Sequence, residues 1–232
     1  MNPLFLIPVA LLIAGVCFMI YMNKKHKAVK TEIDLDAERT RYDVYKKELL
    51  ADDFSQLKTW MKDKPIEAFT TGSIPQSLAN KIQEMATEGL KNVALSTVGL
   101  KLKNLETDCF WVLSGNDLHF FITNALGALE EHIVFDHFRI EEAKMQYAGV
   151  LKQHLGVYLK TSEEYLPQIH RLTFQIDGDT LSLEVHDRLS YVPDPTDILN
   201  LKKQFLTRAK YQVVGEKFVE IVQDKFPNLK IV

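Results

Sequence analysis

The side chains that could carry chemistry in this chain are histidines and carboxylates, and no recognised motif surrounds them. His119, His132, His137, His154, His170 and His186 invite a metal site. However, His132 and His137 are five apart with a predicted turn between them, and no H-E-x-x-H or H-x-H pair occurs at ligand spacing. They read as strand and surface histidines. Glu130-Glu131 and Glu141-Glu142 offer carboxylates for acid/base work, but such runs are ordinarily the solvated face of a strand. Asp177, Gly178 and Asp179 lack the spacing and terminal glutamate of a calcium loop and read as a turn. Phe110, Trp111, Phe120 and Phe121 read as core and sheet-face residues rather than a ligand cage. Cys17 and Cys109, the only two cysteines, cannot form a disulfide framework or a zinc set. Phosphate-loop, dinucleotide and nucleophile-elbow motifs are absent. The reading is therefore no catalytic residues, no cofactor site and no metal site.

The elements that would position these residues begin with Pro3 to Met22, twenty residues without a charged side chain, followed by Lys24, Lys25, Lys27 and Lys30. A bilayer core of roughly 30 Å takes about 20 apolar residues in a helix. The run predicts a transmembrane anchor over 1–23, and the basic flank after it predicts a single-pass cell-membrane protein whose C-terminal part is cytosolic. No charged n-region precedes the run, so a cleaved signal is not expected. The formal net charge of −3 supplies no basic field for nucleic acid. The expected partners are the membrane and a protein, with oligomeric state open.

Residues 24–105 read as a juxtamembrane helical segment. Leu35, Tyr42, Tyr45 and Leu49 recur at helical spacing and predict one helix of about four turns. Asp52 or Asp53 would cap a second helix bearing Phe54, Leu57, Trp60 and Met61, ending before Pro65. Pro65 to Gly72 reads as a connector, and Ser73-Ile74-Pro75-Gln76 as a capping box opening a third helix that stops at Gly89. Residues 90–105 fit either a helix or a strand.

From Thr107 the pattern becomes β-prone. Cys109 to Leu113 and Leu118 to Thr123 flank the turn residues Ser114 to Asp117. His132 to Phe135 is a further run, Asp136 to Arg139 a tight turn, and Ile140 to Tyr147 a strand. Arg171 to Ile176 and Thr180 to His186 alternate around Asp177-Gly178, a strong hairpin signal that leaves each strand one wet face. After Pro193 and Pro195 the chain reads as helical, with Leu201, Phe205 and Ala209, then Val214, Phe218, Ile221 and Val222 on its apolar faces, and Gly215 as a break.

CFWVLSGNDLHFFI, followed by EEHIVFDHFRIEEAKM and RLTFQIDGDTLSLEVHD, resembles the bacterial PH-like (pleckstrin-homology-like) pattern over about Thr107 to Phe226. The resemblance implies an α+β chain in which an antiparallel PH-like barrel or sheet over 106–232 is closed by a C-terminal helix. It places Phe138 at the buried position of the tight turn. That family's barrel has seven strands, whereas about six are legible here. Its phosphoinositide-binding members carry basic residues in the first hairpin loop. Ser114 to Asp117 has none, which speaks against inositol phosphates. The implied function is a non-catalytic binding or scaffolding module, with a membrane-tethered enzyme as the alternative.

Overall fold

A computed structural model describes residues 33–62, 64–75, 108–150, 167–176, 178–190 and 200–231, together with 13, 15–18, 20–21, 24–25, 28–29 and 31–32. The chain divides into two compact units, Met1–Arg41 with Tyr191–Lys210, and Tyr42–Ser190 with Tyr211–Val232.

In the first unit, helix α1 (Leu35–Arg39) starts where the Asp34 carboxylate accepts from the backbone N–H groups of Asp36 and Ala37 at 3.0 and 3.3 Å. Two orphan donors of the first turn are thereby satisfied. The expected anchor requires correction here. Of Pro3 to Met22, only Ile13, Gly15 to Phe18, Ile20 and Tyr21 are among the described residues, all of them helical and exposed. Among the described residues no helix is long and apolar enough to cross a membrane. The longest described helix, Leu201–Lys225, has the length but carries Lys202, Lys203, Arg208, Lys210, Glu216, Lys217, Glu220 and Asp224 along it, and such charges are expensive in hydrocarbon. The transmembrane helix, the single-pass topology and the cell-membrane location are withdrawn on that finding.

The second unit is a seven-stranded antiparallel sheet with helices on both faces. Its strands are β1 (Ala68–Ser73), β2 (Cys109–Ser114), β3 (Asp117–Thr123), β4 (Leu129–Phe135), β5 (Lys144–Val150), β6 (Gln168–Ile176) and β7 (Asp179–His186), in the order β4-β3-β2-β1-β7-β6-β5. Two meanders, β2-β3-β4 and β5-β6-β7, are thus joined through β1. The expected barrel is corrected to an open sheet: β4 and β5 lie at opposite ends of the order and do not pair, and a short helix joins them instead. The sheet still curls enough for Phe135 of β4 to stack on Phe174 of β6, with ring centroids 3.9 Å apart.

The inner face holds the core. Trp111 at its centre is fully buried and touches Phe120, Phe135 and Phe174. Helix α5 (Leu201–Lys225) covers this face with Phe218, Val219 and Val222, and Phe226 follows just beyond its end, as expected of a closing C-terminal helix. The helix runs through Gly215 without the expected break.

The outer face of β1, β2 and β3 is covered as well. Helices α2 (Tyr42–Leu49) and α3 (Ser55–Met61) bury Tyr42, Tyr45, Leu49, Leu57 and Met61, while Phe54 packs on Phe69 and Phe110. Trp60 lies over Phe110 and Phe121. With both faces covered, β2 is buried at every position, which explains its unbroken apolar run CFWVL. β6 and β7 keep one wetter face, in line with their alternation.

Several local expectations change. The predicted four-turn helix is interrupted at Thr40-Arg41 into α1 and α2. Asp53 does not cap α3, which begins after Phe54 with no side-chain cap; it accepts a hydrogen bond from the Tyr211 hydroxyl. The presumed connector contains β1, paired with β2 over Ala68–Gly72 and with β7 at Gly72 and Ser73. Ser73 is the last strand residue, not a helix cap, because its hydroxyl is taken up across the sheet by Glu184. Phe138 is 67% exposed, and Ile140 is the buried residue of the β4–β5 connection. That connection is helix α4 (His137–Glu141), capped by Asp136 through the Arg139 N–H, and an α-helical turn puts its inward position two residues later than a tight turn would. The predicted third helix beyond Pro75, the segment 90–105 and Ile198 lie outside the described residues.

Candidate functional site

Two groups of polar side chains come together on the outer face, and sequence spacing marked neither. The first lies across β1 and β7. The single hydroxyl proton of Thr71 goes to the Arg188 carbonyl at 3.1 Å, and Thr71 Oγ1 lies 3.3 Å from His186 Nδ1. His186 Nε2 faces Ser73 Oγ at 3.0 Å. Ser73 Oγ is also 2.6 Å from Glu184 Oε2, whose partner oxygen is 3.6 Å from the Arg171 guanidinium. Ser73 thus donates its proton to the Glu184 carboxylate while its oxygen faces the His186 imidazole.

Burial, reinforced by the charge of His170, pushes His186 down to about 4. The unfolded chain takes up this proton near pH 6.5, whereas the folded chain resists until about 4. Between those values the unfolded state binds more protons, so stability falls as the pH is lowered. A shift of that size corresponds to roughly 3 kcal/mol. Asp187 next to it is raised to about 6 by burial and acts with the opposite sign, its penalty relieved as pH falls through that value. Urea unfolding of wild type between pH 7 and 4 should show a net loss that His186→Asn makes shallower. Equal slopes in the two proteins would mean that His186 does not resist protonation.

The second group lies on β3 and β4. His119 Nδ1 and His132 Nε2 are 2.8 Å apart, so one ring donates its N–H to the other. The rings stack on each other, and His132 stacks on Phe121 with centroids 4.3 Å apart. His119 is 1% exposed, and its Nε2 is buried without a partner among the described residues. Burial, the neighbouring His132 and Lys64 hold His119 at about 4; burial, Lys64 and Lys62 lower His132.

The other named residues do not converge. His137 is on the surface of α4, its ring against Phe138. His170 ends the inner face beside Tyr147, with Nδ1 buried and unpartnered among the described residues. Glu130 and Glu131 lie on β4, Glu141 and Glu142 at the exposed end of α4, and Asp179 opens β7; His154 and Asp177 lie outside the described residues. Trp111 and Phe120 are core, while Phe110 and Phe121 lie under α3. Cys109 is buried and Cys17 exposed. Among the described residues no three His, Cys, Asp or Glu side chains come together where a metal could be held. The Ser114 to Asp117 loop is tied down by Glu67, which accepts from the Gly115 N–H at 2.8 Å and pairs with Lys225 at 2.9 Å.

Sequence reasoning missed Ser73, Thr71 and Glu184. Alternation put Glu184 and His186 on one face of β7, but only the adjacency of β1 supplies the hydroxyls. Comparison with family models, with curated proteins and with solved structures returns no match.

Proposed function

We propose that this chain is a non-catalytic protein-binding module of PH-like type that takes up an extended segment of another protein along strand β4. The carrying observation is a sheet edge that no described strand covers. Among the described residues β4 is a terminal strand with Leu129 and Val134 exposed at 38% and 36%, next to Leu126 of the preceding loop at 93%. Unpaired N–H and C=O groups at such an edge are a template for a further strand. The opposite edge is better defended, since β5 starts with Lys144 and is bulged at Tyr147/Gly149, where Gly149 has φ 131°. Glu130 and Glu131 on β4 favour a segment carrying basic residues. Seven strands and a closing C-terminal helix support the PH-like reading. Panning a peptide library on the purified chain should enrich basic, β-prone peptides that slow amide exchange over 129–135, and Val134→Pro should abolish their binding. Protection elsewhere, or no enrichment, would remove this reading.

A second reading, an enzyme acting on esters, is favoured by one observation: the Ser73 hydroxyl within hydrogen-bond reach of both His186 Nε2 and Glu184. A fluorophosphonate probe decides it. Labelling that is lost in Ser73→Ala would establish a reactive serine, whereas wild type labelled no more than the variant would leave the cluster a structural tie between β1 and β7.

A further inference from the structure

We propose that the His119–His132 pair is an acid-sensitive latch that fastens edge strand β4 to the rest of the sheet. Among the described residues β4 is a terminal strand, with ladder hydrogen bonds on one side only. Its register to β3 also shifts between Ile122 and Thr123, leaving Glu130 as the extra, unpaired residue of a bulge. The imidazole pair adds a side-chain hydrogen bond between the two strands, placed two residues beyond that bulge.

The pair tolerates one proton between the two facing nitrogens and not two. With both rings neutral, one N–H points at one lone pair. A first added proton goes to a ring nitrogen that faces away from the contact, leaving one N–H between the rings, and the pair shares the resulting charge, so the two rings titrate together. A second would set two N–H groups and two positive charges against each other across 2.8 Å. The surroundings add to that repulsion. Trp60 of α3 packs on Phe121, which stacks on His132, so the residues just after Trp60 are brought beside the pair. Those residues include Lys62 and Lys64, and both push His132 toward its neutral form. Asp117 on β3 is the acidic group that acts on His119 in the opposite direction. Because His119 is enclosed and His132 is at the surface, relief comes from the His132 side: the ring leaves for water, and β4 is left with its backbone ladder to β3 alone. This inference holds whether or not β4 takes up a partner strand.

The test is amide hydrogen exchange on the full chain, corrected for the intrinsic pH dependence of exchange. Between about pH 7 and about pH 4.5, protection over 129–135 should fall at least about tenfold more than protection over 109–114, while the sheet core stays closed. In His132→Gln the β4 protection should be low already at neutral pH and nearly independent of pH. If that variant does not fold, Lys62→Gln/Lys64→Gln serves instead, and the drop should move to lower pH as the repulsion is relieved. β4 protection that follows β2 across the range would overturn the latch. So would a drop of equal size in His132→Gln, or one unmoved in the lysine variant.

Discussion

Gly215→Ala should destabilise the sheet unit by about 2–3 kcal/mol, the magnitude of an overpacked core site. The sign is what makes this result informative. At an exposed helix interior the same change stabilises by up to about 1 kcal/mol, because alanine has the higher helix propensity. Here the methyl would lie 2.6 Å from the Arg188 Cα and the Asp187 carbonyl oxygen and 2.7 Å from the Arg188 nitrogen. All three are backbone atoms, so no side chain can swing aside. Relief requires moving α5 away from the segment after β7. That motion would strain the Leu189 N–H bond to the Tyr211 carbonyl and lift the buried Val213 and Val214. Urea unfolding midpoints of wild type and variant measure the effect. A variant as stable as wild type, or more so, would show that the helix does not pass this close to residues 187 and 188.

Gly72→Ala is expected to be at least as damaging, with a loss of about 2–4 kcal/mol from overpacking and a broken buried hydrogen bond. A Cβ at this position would lie 2.5 Å from the Glu184 carbonyl oxygen and 2.6 Å from Trp111 Nε1. These two atoms are themselves joined, since the indole N–H donates to that carbonyl at 2.9 Å. The glycine thus leaves open the space through which the central core residue bonds to β7. An added methyl must displace either the β7 backbone or the Trp111 ring, which is packed on Phe120 and Phe135. The readout is the unfolding midpoint together with near-ultraviolet circular dichroism, where a displaced Trp111 changes the aromatic bands. An unchanged midpoint with unchanged aromatic bands would contradict the packing of β1 between β2 and β7.

Both glycines show where the chain was hard to read. Gly215 was visible as a helix-weakening residue, and local propensity led to a break. The close approach that requires a residue without a side chain comes from a loop some thirty positions earlier in the chain. Gly72 looked like the end of a connector because AFTTGS shows no apolar–polar alternation. Its burial comes from both sides, with Phe69 under Phe54 and Ala68 in the core. The hairpins β2-β3 and β6-β7 were legible because turn residues and alternation are local, and the φ of +89° at Gly178 is what the Asp-Gly signal calls for. For the candidate sites, the constituent histidines were visible and their partners were not. His119 and His132 are a cross-strand pair thirteen residues apart, a separation that no ligand-spacing rule examines.

By itself, the sequence determined the α+β class, the two tight hairpins, the alternating faces of β6 and β7, and the amphipathic C-terminal helix that closes the core. Each of these depends on interactions within a few residues or on the period of an apolar stripe. Only the tertiary structure decided the central place of β1, the open edge at β4 and the joining of Ser73 to His186 and Glu184. It also decided the meeting of His119 with His132 and the replacement of a barrel by an open sheet. These are pairings between distant segments, and they follow from which strand edges meet when the apolar faces are buried together, a quantity that no local pattern encodes.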